Sequence, residues 1–393
     1  MNDEVMIVAG EASGDLHGSR LIASMLHRNP ALNFCGIGGP EFKKCGVELL
    51  YDASNIAVVG IFEVVSHLSH IIKAQRVLRR RLAEKPPRLL ILIDFPDFNL
   101  VLARKAKKLG VPVFYYISPQ VWAWRSGRVK TINRLTDAIG VILPFEEAYY
   151  RERGVEKAHY VGHPLLDTVV SAMSREEFCS AHDIDPRRTL IGILPGSRRR
   201  EIRSLLPEFL LAAEKFKQNC PGDPVFLIPK APTIEAEELF SSGIGGADSR
   251  LDVRVIADNR YELMAASDAI VAASGTVTLE IVLLDTPMVV AYKLSPMSYR
   301  LGRLLVRLGQ FPLAKLGYFS LVNLIAGRQV VQELLQDEAT AEALAAELHR
   351  LVYDHPHRER QLSEFKKVRE KLGERGASER AARLAAKLMG DDD

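Results

Sequence analysis

The sequence predicts an α/β protein of two doubly wound, Rossmann-like domains facing a cleft, and three observations lead there. Short runs rich in Val, Ile and Leu recur between longer amphipathic stretches, the rhythm of parallel α/β units. Several runs are apolar at consecutive positions, as strands covered by helices on both faces require. The 393 residues also exceed what one hydrophobic core usually serves.

The first half supplies the runs Val5–Ala9, Leu89–Asp94, Val111–Ile117 and Ile139–Leu143. The second supplies Leu190–Leu194, Val225–Ile228, Ala269–Ala272 and Met288–Tyr292. Between them Met173–Arg188 is polar, so the boundary is placed just after Gly162-His163-Pro164. This yields a first domain over 1–165, a second over 166–350, and a helical tail over 351–393 expected to pack back on the first. In the tail Leu362, Phe365, Val368 and Leu372 form an apolar helical stripe.

Fifty-two basic against 49 acidic residues leave a formal charge of +3, which gives nucleic-acid binding no support. The four cysteines include no CxxC pair, so neither a zinc site nor a disulfide framework is indicated. A strand-like run begins at Val5, and no run of about 18 apolar residues follows. The expected location is therefore cytoplasmic, with membrane contact at most peripheral.

The strand-end loops carry the chemistry. Gly10-Glu11-Ala12-Ser13-Gly14-Asp15 opens a helix and lacks the G-x-G-x-x-G spacing of a dinucleotide site. Glu11, Ser13 and Asp15 can bond sugar hydroxyls; alternatively Ser13 and Asp15 cap the helix. Asp94, in Ile93-Asp94-Phe95-Pro96-Asp97-Phe98-Asn99, stands where a parallel strand meets the ligand crevice and suits a general base; Asp97 reads as a helix cap. Ser118-Pro119-Gln120-Val121-Trp122-Ala123-Trp124-Arg125 offers aromatic faces to a sugar or acyl chain and Arg125 to a phosphate, or else a buried aromatic anchor. In the second half Gly196-Ser197-Arg198 suits a pyrophosphate at a helix N-terminus. Ser274-Gly275-Thr276 repeats that arrangement, and Glu280, one helical turn on, can accept ribose hydroxyls or be a surface residue. Asp183-Ile184-Asp185 lies in the polar linker and reads as a turn, so no metal and no cofactor are expected.

Together these segments, with Gly38-Gly39-Pro40, Val59-Gly60-Ile61-Phe62-Glu63-Val64 and Val322-Asn323-Leu324-Ile325-Ala326-Gly327, resemble the lipid-A-disaccharide synthase family of GT-B glycosyltransferases over nearly the whole chain. Ala12 and Phe95 depart from residues found in some members, threonine and alanine, and two further arginines follow Arg198. The resemblance implies transfer of 2,3-diacylglucosamine from its UDP derivative to the 6-hydroxyl of 2,3-diacylglucosamine 1-phosphate. It implies Asp94 as the base, Arg198 and Asn323 near the donor, and Glu280 on the ribose. The first domain would then bind the acceptor and the second the UDP-sugar. Two other readings stay open on the residues alone: a UDP-sugar epimerase and a UDP-sugar-binding regulatory module.

A lipid-borne acceptor calls for an anionic membrane surface as partner, at the cytoplasmic face of the inner membrane; no protein partner is predicted. Leu294–Phe319, basic and free of acidic residues, is the first candidate for that contact, and Ile61–Leu82, ending in Arg79-Arg80-Arg81, the second. Either stretch can instead be an ordinary core-facing helix.

Overall fold

The computed structural model describes residues 3–56, 63–123, 125–231, 234, 236–247, 250–293 and 317–391. Val59-Gly60-Ile61-Phe62, Trp124 and residues 294–316 of the first membrane candidate lie outside the described residues. The chain forms two compact units: residues up to Asp167 together with those from Leu372, and Thr168–Lys371.

In the first unit the strands are β1 (Glu4–Ala9), β2 (Asn33–Gly38), β3 (Glu48–Asp52), β4 (Leu89–Ile93), β5 (Val113–Tyr116), β6 (Ala138–Val141) and β7 (Ala158–Tyr160). They form one parallel sheet in the order β3-β2-β1-β4-β5-β6-β7. The run Glu4–Ala9 is buried throughout because its two faces are both covered. Val5, Ile7 and Ala9 pack with helix α1 (Ala12–Arg28) and with Ala381, Ala382 and Ala385 of the last helix, Ala377–Met389. Met6 and Val8 pack with Ala74, Leu78 and Leu82 of α3 (Glu63–Glu84) and Leu102, Ala103 and Ala106 of α4 (Pro96–Lys108). The short α2 (Pro40–Lys44) follows β2.

The second unit repeats the plan with β8 (Leu190–Leu194), β9 (Val225–Pro229), β10 (Asp252–Ile256), β11 (Ala269–Ala273), β12 (Met288–Tyr292) and β13 (Gln332–Leu335), in the parallel order β10-β9-β8-β11-β12-β13. The long helix Arg199–Gln218 and the helix Ala341–Tyr353 bury Leu206, Phe209, Leu344 and Leu348 against Ile191 and Ile193.

Segment 351–393 divides between the units. Helix His355–Leu372 buries Phe365 and Val368, and its Gln361 amide pairs with the Met288 backbone, accepting from N–H at 2.8 Å and donating to C=O at 3.1 Å. After Gly373 the chain returns to the first sheet, where Asp167 accepts from the N–H groups of Gly376 and Ala377 at 2.7 and 3.1 Å.

In both sheets the strand order reverses beside the first strand of the unit, between β1 and β4 and between β8 and β11. Loops leaving the carboxyl ends of such neighbours diverge and open a crevice for ligands. Each unit thus carries its own pair of candidate loops.

Candidate active site

In the first unit Ala9 pairs with Ile93 across the reversal point, so Gly10 and Asp94 begin adjacent loops. Asp94 is exposed, and both it and Phe95 have left-handed backbones, φ +42° and +45°. Two successive non-glycine residues in this region are costly and persist only where their surroundings impose them. The Phe95 ring stacks on Phe98 at 5.1 Å and lies over Gly10, where a Cβ would come within 2.6 Å of the ring. Gly10 thus makes room for an aromatic side chain.

Around Asp94 the expected acceptor residues part company. Glu11 and Ser13 are exposed at the start of α1 and make no side-chain cap. Asp15 is a correction: it is 2 % exposed and neither faces solvent nor caps α1. Its carboxylate accepts from the N–H groups of Gly39 (2.7 Å), Glu41 (2.9 Å) and Phe42 (3.2 Å), closing the N-terminus of α2. Trp122 is a second correction, the buried anchor and not a sugar platform. Its ring meets Phe145 edge-on at 5.0 Å and its Nε1–H donates to Glu146 at 2.9 Å. Glu146 also accepts from the N–H groups of Leu143 (2.9 Å) and Ile142 (3.1 Å). Burial pushes its carboxyl up to about 7 against the pull of these three donors. Arg125, with φ +57°, stays at the surface and pairs with Asp97 at 3.3 Å; Arg128 forms a second ion pair with the same carboxylate. Asp97 therefore gathers two guanidinium groups beside Asp94 in addition to opening α4.

In the second unit Leu194 pairs with Ala272, again setting two turns side by side. Gly196 has φ +111°, and Ser197 and Arg198 lead into the helix Arg199–Gln218. The open N–H groups of that helix end are partly covered by Glu201, whose carboxylate accepts from Ser197 N–H at 3.3 Å and lies 3.5 Å from Arg198. Its Oε2 stands 2.4 Å from where a Gly196 Cβ would be. Across the reversal point, Ser274 donates its hydroxyl to Phe319 C=O at 3.3 Å, while Gly275 is half-buried and Thr276 exposed. Glu280 is 6 % exposed and so is not a surface residue. Burial raises its pKa, and an ion pair from Oε2 to Arg260 opposes that rise.

Asn323 is the third correction. It is fully buried, its amide donates to Val331 C=O (2.9 Å) and Glu333 (2.8 Å), and its Oδ1 accepts from Val330 (2.6 Å) and Val331 (3.0 Å) N–H. Two donors and two acceptor positions are all a carboxamide has, so nothing is left for a donor sugar.

Sequence reasoning missed Glu146, Glu201 and Arg260. Glu201 had a readable signal, an acid three residues past Arg198 in a helix's first turn. Arg260 had none, because Glu280 lies 20 residues on, and the contact of Glu146 with Trp122, 24 residues back, was equally hidden. Asp185 pairs with Arg187 at 2.7 Å in the linker turn, and among the described residues no group of His, Cys, Asp and Glu is arranged to hold a metal ion.

Residues 5–388 match the family model described as Lipid-A-disaccharide synthetase. The chain is 47% identical over 393 residues to the lipid-A-disaccharide synthase of Geobacter metallireducens, covering 99% of this chain and 98% of that protein. Among solved structures, the UDP-GlcNAc 2-epimerase of Neisseria meningitidis bound to UDP-GlcNAc superposes with a TM-score of 0.63 at 13% identity, over 99% of this chain and all of that one. MurG of Acinetobacter baumannii superposes with a TM-score of 0.58 at 14% identity, over 98% and 99%. At such identities the two structures establish the GT-B fold and nothing finer.

Proposed function

This chain belongs to the lipid-A-disaccharide synthase family, and on that premise we propose that it joins two acylated glucosamines, UDP-2,3-diacylglucosamine as donor and 2,3-diacylglucosamine 1-phosphate as acceptor. The products are UDP and a tetraacyl β-1,6 disaccharide 1-phosphate.

The observation that carries the assignment of roles is the pairing of loops at each reversal point, one pair with an exposed carboxylate and one with a glycine-hydroxyl-arginine turn. Asp94 takes the proton from the acceptor 6-hydroxyl as that oxygen attacks the anomeric carbon of the donor. The bond to the UDP oxygen breaks, and the anomeric centre inverts. Charge develops on the leaving pyrophosphate, where N–H groups at Gly196-Ser197 and the Arg198 guanidinium stabilise it electrostatically. Glu280, held by Arg260, accepts hydrogen bonds from the ribose, with Ser274, Gly275 and Thr276 beside it. Glu11, Ser13 and Arg125 serve the acceptor; the exposed Arg125–Asp97 pair is weak enough to yield to a phosphate.

The acyl chains imply work at an anionic membrane surface, on its cytoplasmic side. Among the described residues no helix is long and apolar enough to cross a membrane. The described part of α3 offers a peripheral contact, with Leu68 and Ile72 each 49% exposed beside the exposed Lys73, Arg76 and Arg79. The test is to mix purified protein with both acylated glucosamines and weigh the products. Disaccharide and UDP in equal amounts are expected; UDP without disaccharide overturns the acceptor assignment.

A further inference from the structure

Asp94 follows the last residue of β4, Ile93, where a strand continued in register would send its side chain to one helix-covered face of the sheet. The left-handed turn at residues 94 and 95 brings it out, and the structure holds that turn from two sides. From β5, the Tyr115 hydroxyl donates to Asp94 C=O at 2.7 Å, and Asp94 N–H donates to Ile117 C=O at 3.2 Å. From α4, Asn99 Nδ2 donates to Asp94 C=O at 2.7 Å and to Ile93 C=O at 3.1 Å. Both acceptor positions of the Asp94 carbonyl are thereby filled. Tyr115 and Asn99 are each fully buried, so neither can touch a substrate. The Asp94 carbonyl is what both polar groups address, and a phenol and a carboxamide are expensive to bury without such a partner.

We propose that Asn99 and Tyr115 are positioning residues for the transfer: together they fix the Asp94 carbonyl and with it the left-handed turn that directs the Asp94 carboxylate out at the strand end. The proposal rests on Asp94 being the base. Neither residue takes or gives a proton. Their effect comes through the placement of the carboxylate, and a displacement of about 1 Å at a reacting group lowers turnover on the order of a hundredfold.

The test compares Tyr115→Phe, which removes one oxygen from a filled site and keeps the ring, with Asn99→Ala. Expected are falls in kcat of about tenfold and about a hundredfold, with the donor KM and the Kd for UDP within about twofold of wild type. In an Asp94→Glu background, whose longer side chain no longer depends on the same carbonyl position, Tyr115→Phe should lower kcat by less than about twofold. An equal loss in both backgrounds, or a loss shared by UDP binding and thermal stability, overturns the positioning role. Wild-type kcat in both single variants, with Asp94→Asn inactive, also overturns it and leaves the base in place. Full turnover in Asp94→Asn instead removes the base, and the positioning role with it.

Discussion

A carboxylate only 6% exposed remains an anion only beside a compensating charge, and Glu280 has Arg260. Burial raises the Glu280 pKa and the guanidinium lowers it, so Arg260→Ala removes the opposing influence and favours the protonated acid. A protonated Glu280 loses acceptor capacity for ribose hydroxyls. Arg260→Ala and Glu280→Ala should both raise the donor KM, by about tenfold, with kcat nearly unchanged; an unchanged KM in steady-state kinetics counts against ribose contact. Glu146 presents the same physics without a cation. Its carboxyl, pushed up to about 7 by burial, holds more protons folded than unfolded between the ordinary carboxylate value and neutrality. Its contribution to stability is therefore most favourable in acid and declines as pH rises through that window, by about 3 kcal/mol in all. The Trp122 indole N–H donates to this carboxylate and should report the titration. In an NMR pH series the Trp122 indole resonance should shift with a midpoint near 7, and a flat response from pH 5 to 8 would contradict the assignment.

At the scale of elements, two carboxylates close helix ends with opposite consequences. Asp15 accepts from three N–H groups at the start of α2, those of Gly39 and Phe42 buried and that of Glu41 partly so. Asp15→Ala strands those donors, so denaturation should show a loss of about 2–4 kcal/mol, while the acceptor KM of the folded fraction stays within about twofold. A stable variant with a large acceptor KM effect would return Asp15 to the substrate site. Glu201 also sits at a helix start, but on the turn proposed for pyrophosphate, with its carboxylate against Gly196 and Ser197 N–H. Two anions cannot share one set of donors, so UDP binding there requires Glu201 to swing away. Glu201→Gln, similar in size but uncharged, removes the repulsion. Calorimetry should show UDP binding about three- to tenfold more tightly, and weaker binding would mean that Glu201 shapes the turn for its ligand.

Over the whole molecule, what was legible in the sequence followed the sheets from their centres outward. The runs that became β1, β4, β5, β6, β8, β9, β11 and β12 are apolar because both faces are covered, whereas β3, β7, β10 and β13 lie at sheet edges with half-exposed or polar residues, and β2 is broken by Gly36 and Gly38. The loops beside central strands were equally legible, since glycine, hydroxyl and carboxylate residues stand out after an apolar run. The orientation of individual side chains was not: Asp15 and Trp122 find their partners 24 residues away, and Asn323 eight, so no local pattern shows that they turn inward. Charge is likewise a property of the distribution and not of the sum. A net +3 cannot draw the protein to a membrane, so attraction must come from a local face such as that of α3. There Arg81 is held by Glu4 at 2.5 Å and Arg80 pairs with Glu84 at 2.8 Å, while Lys73, Arg76 and Arg79 are exposed near Leu68 and Ile72. Each such cation contributes about 1 kcal/mol near an anionic surface, and salt weakens it within a Debye length of about 8 Å. Co-sedimentation with vesicles containing anionic lipid should thus be strong at low salt and fall steeply by about 0.5 M, where the Debye length is only about 4 Å. Leu68→Glu combined with Ile72→Glu should abolish it while kcat on detergent-dispersed substrates persists; unimpaired binding to the vesicles would move the membrane contact off α3.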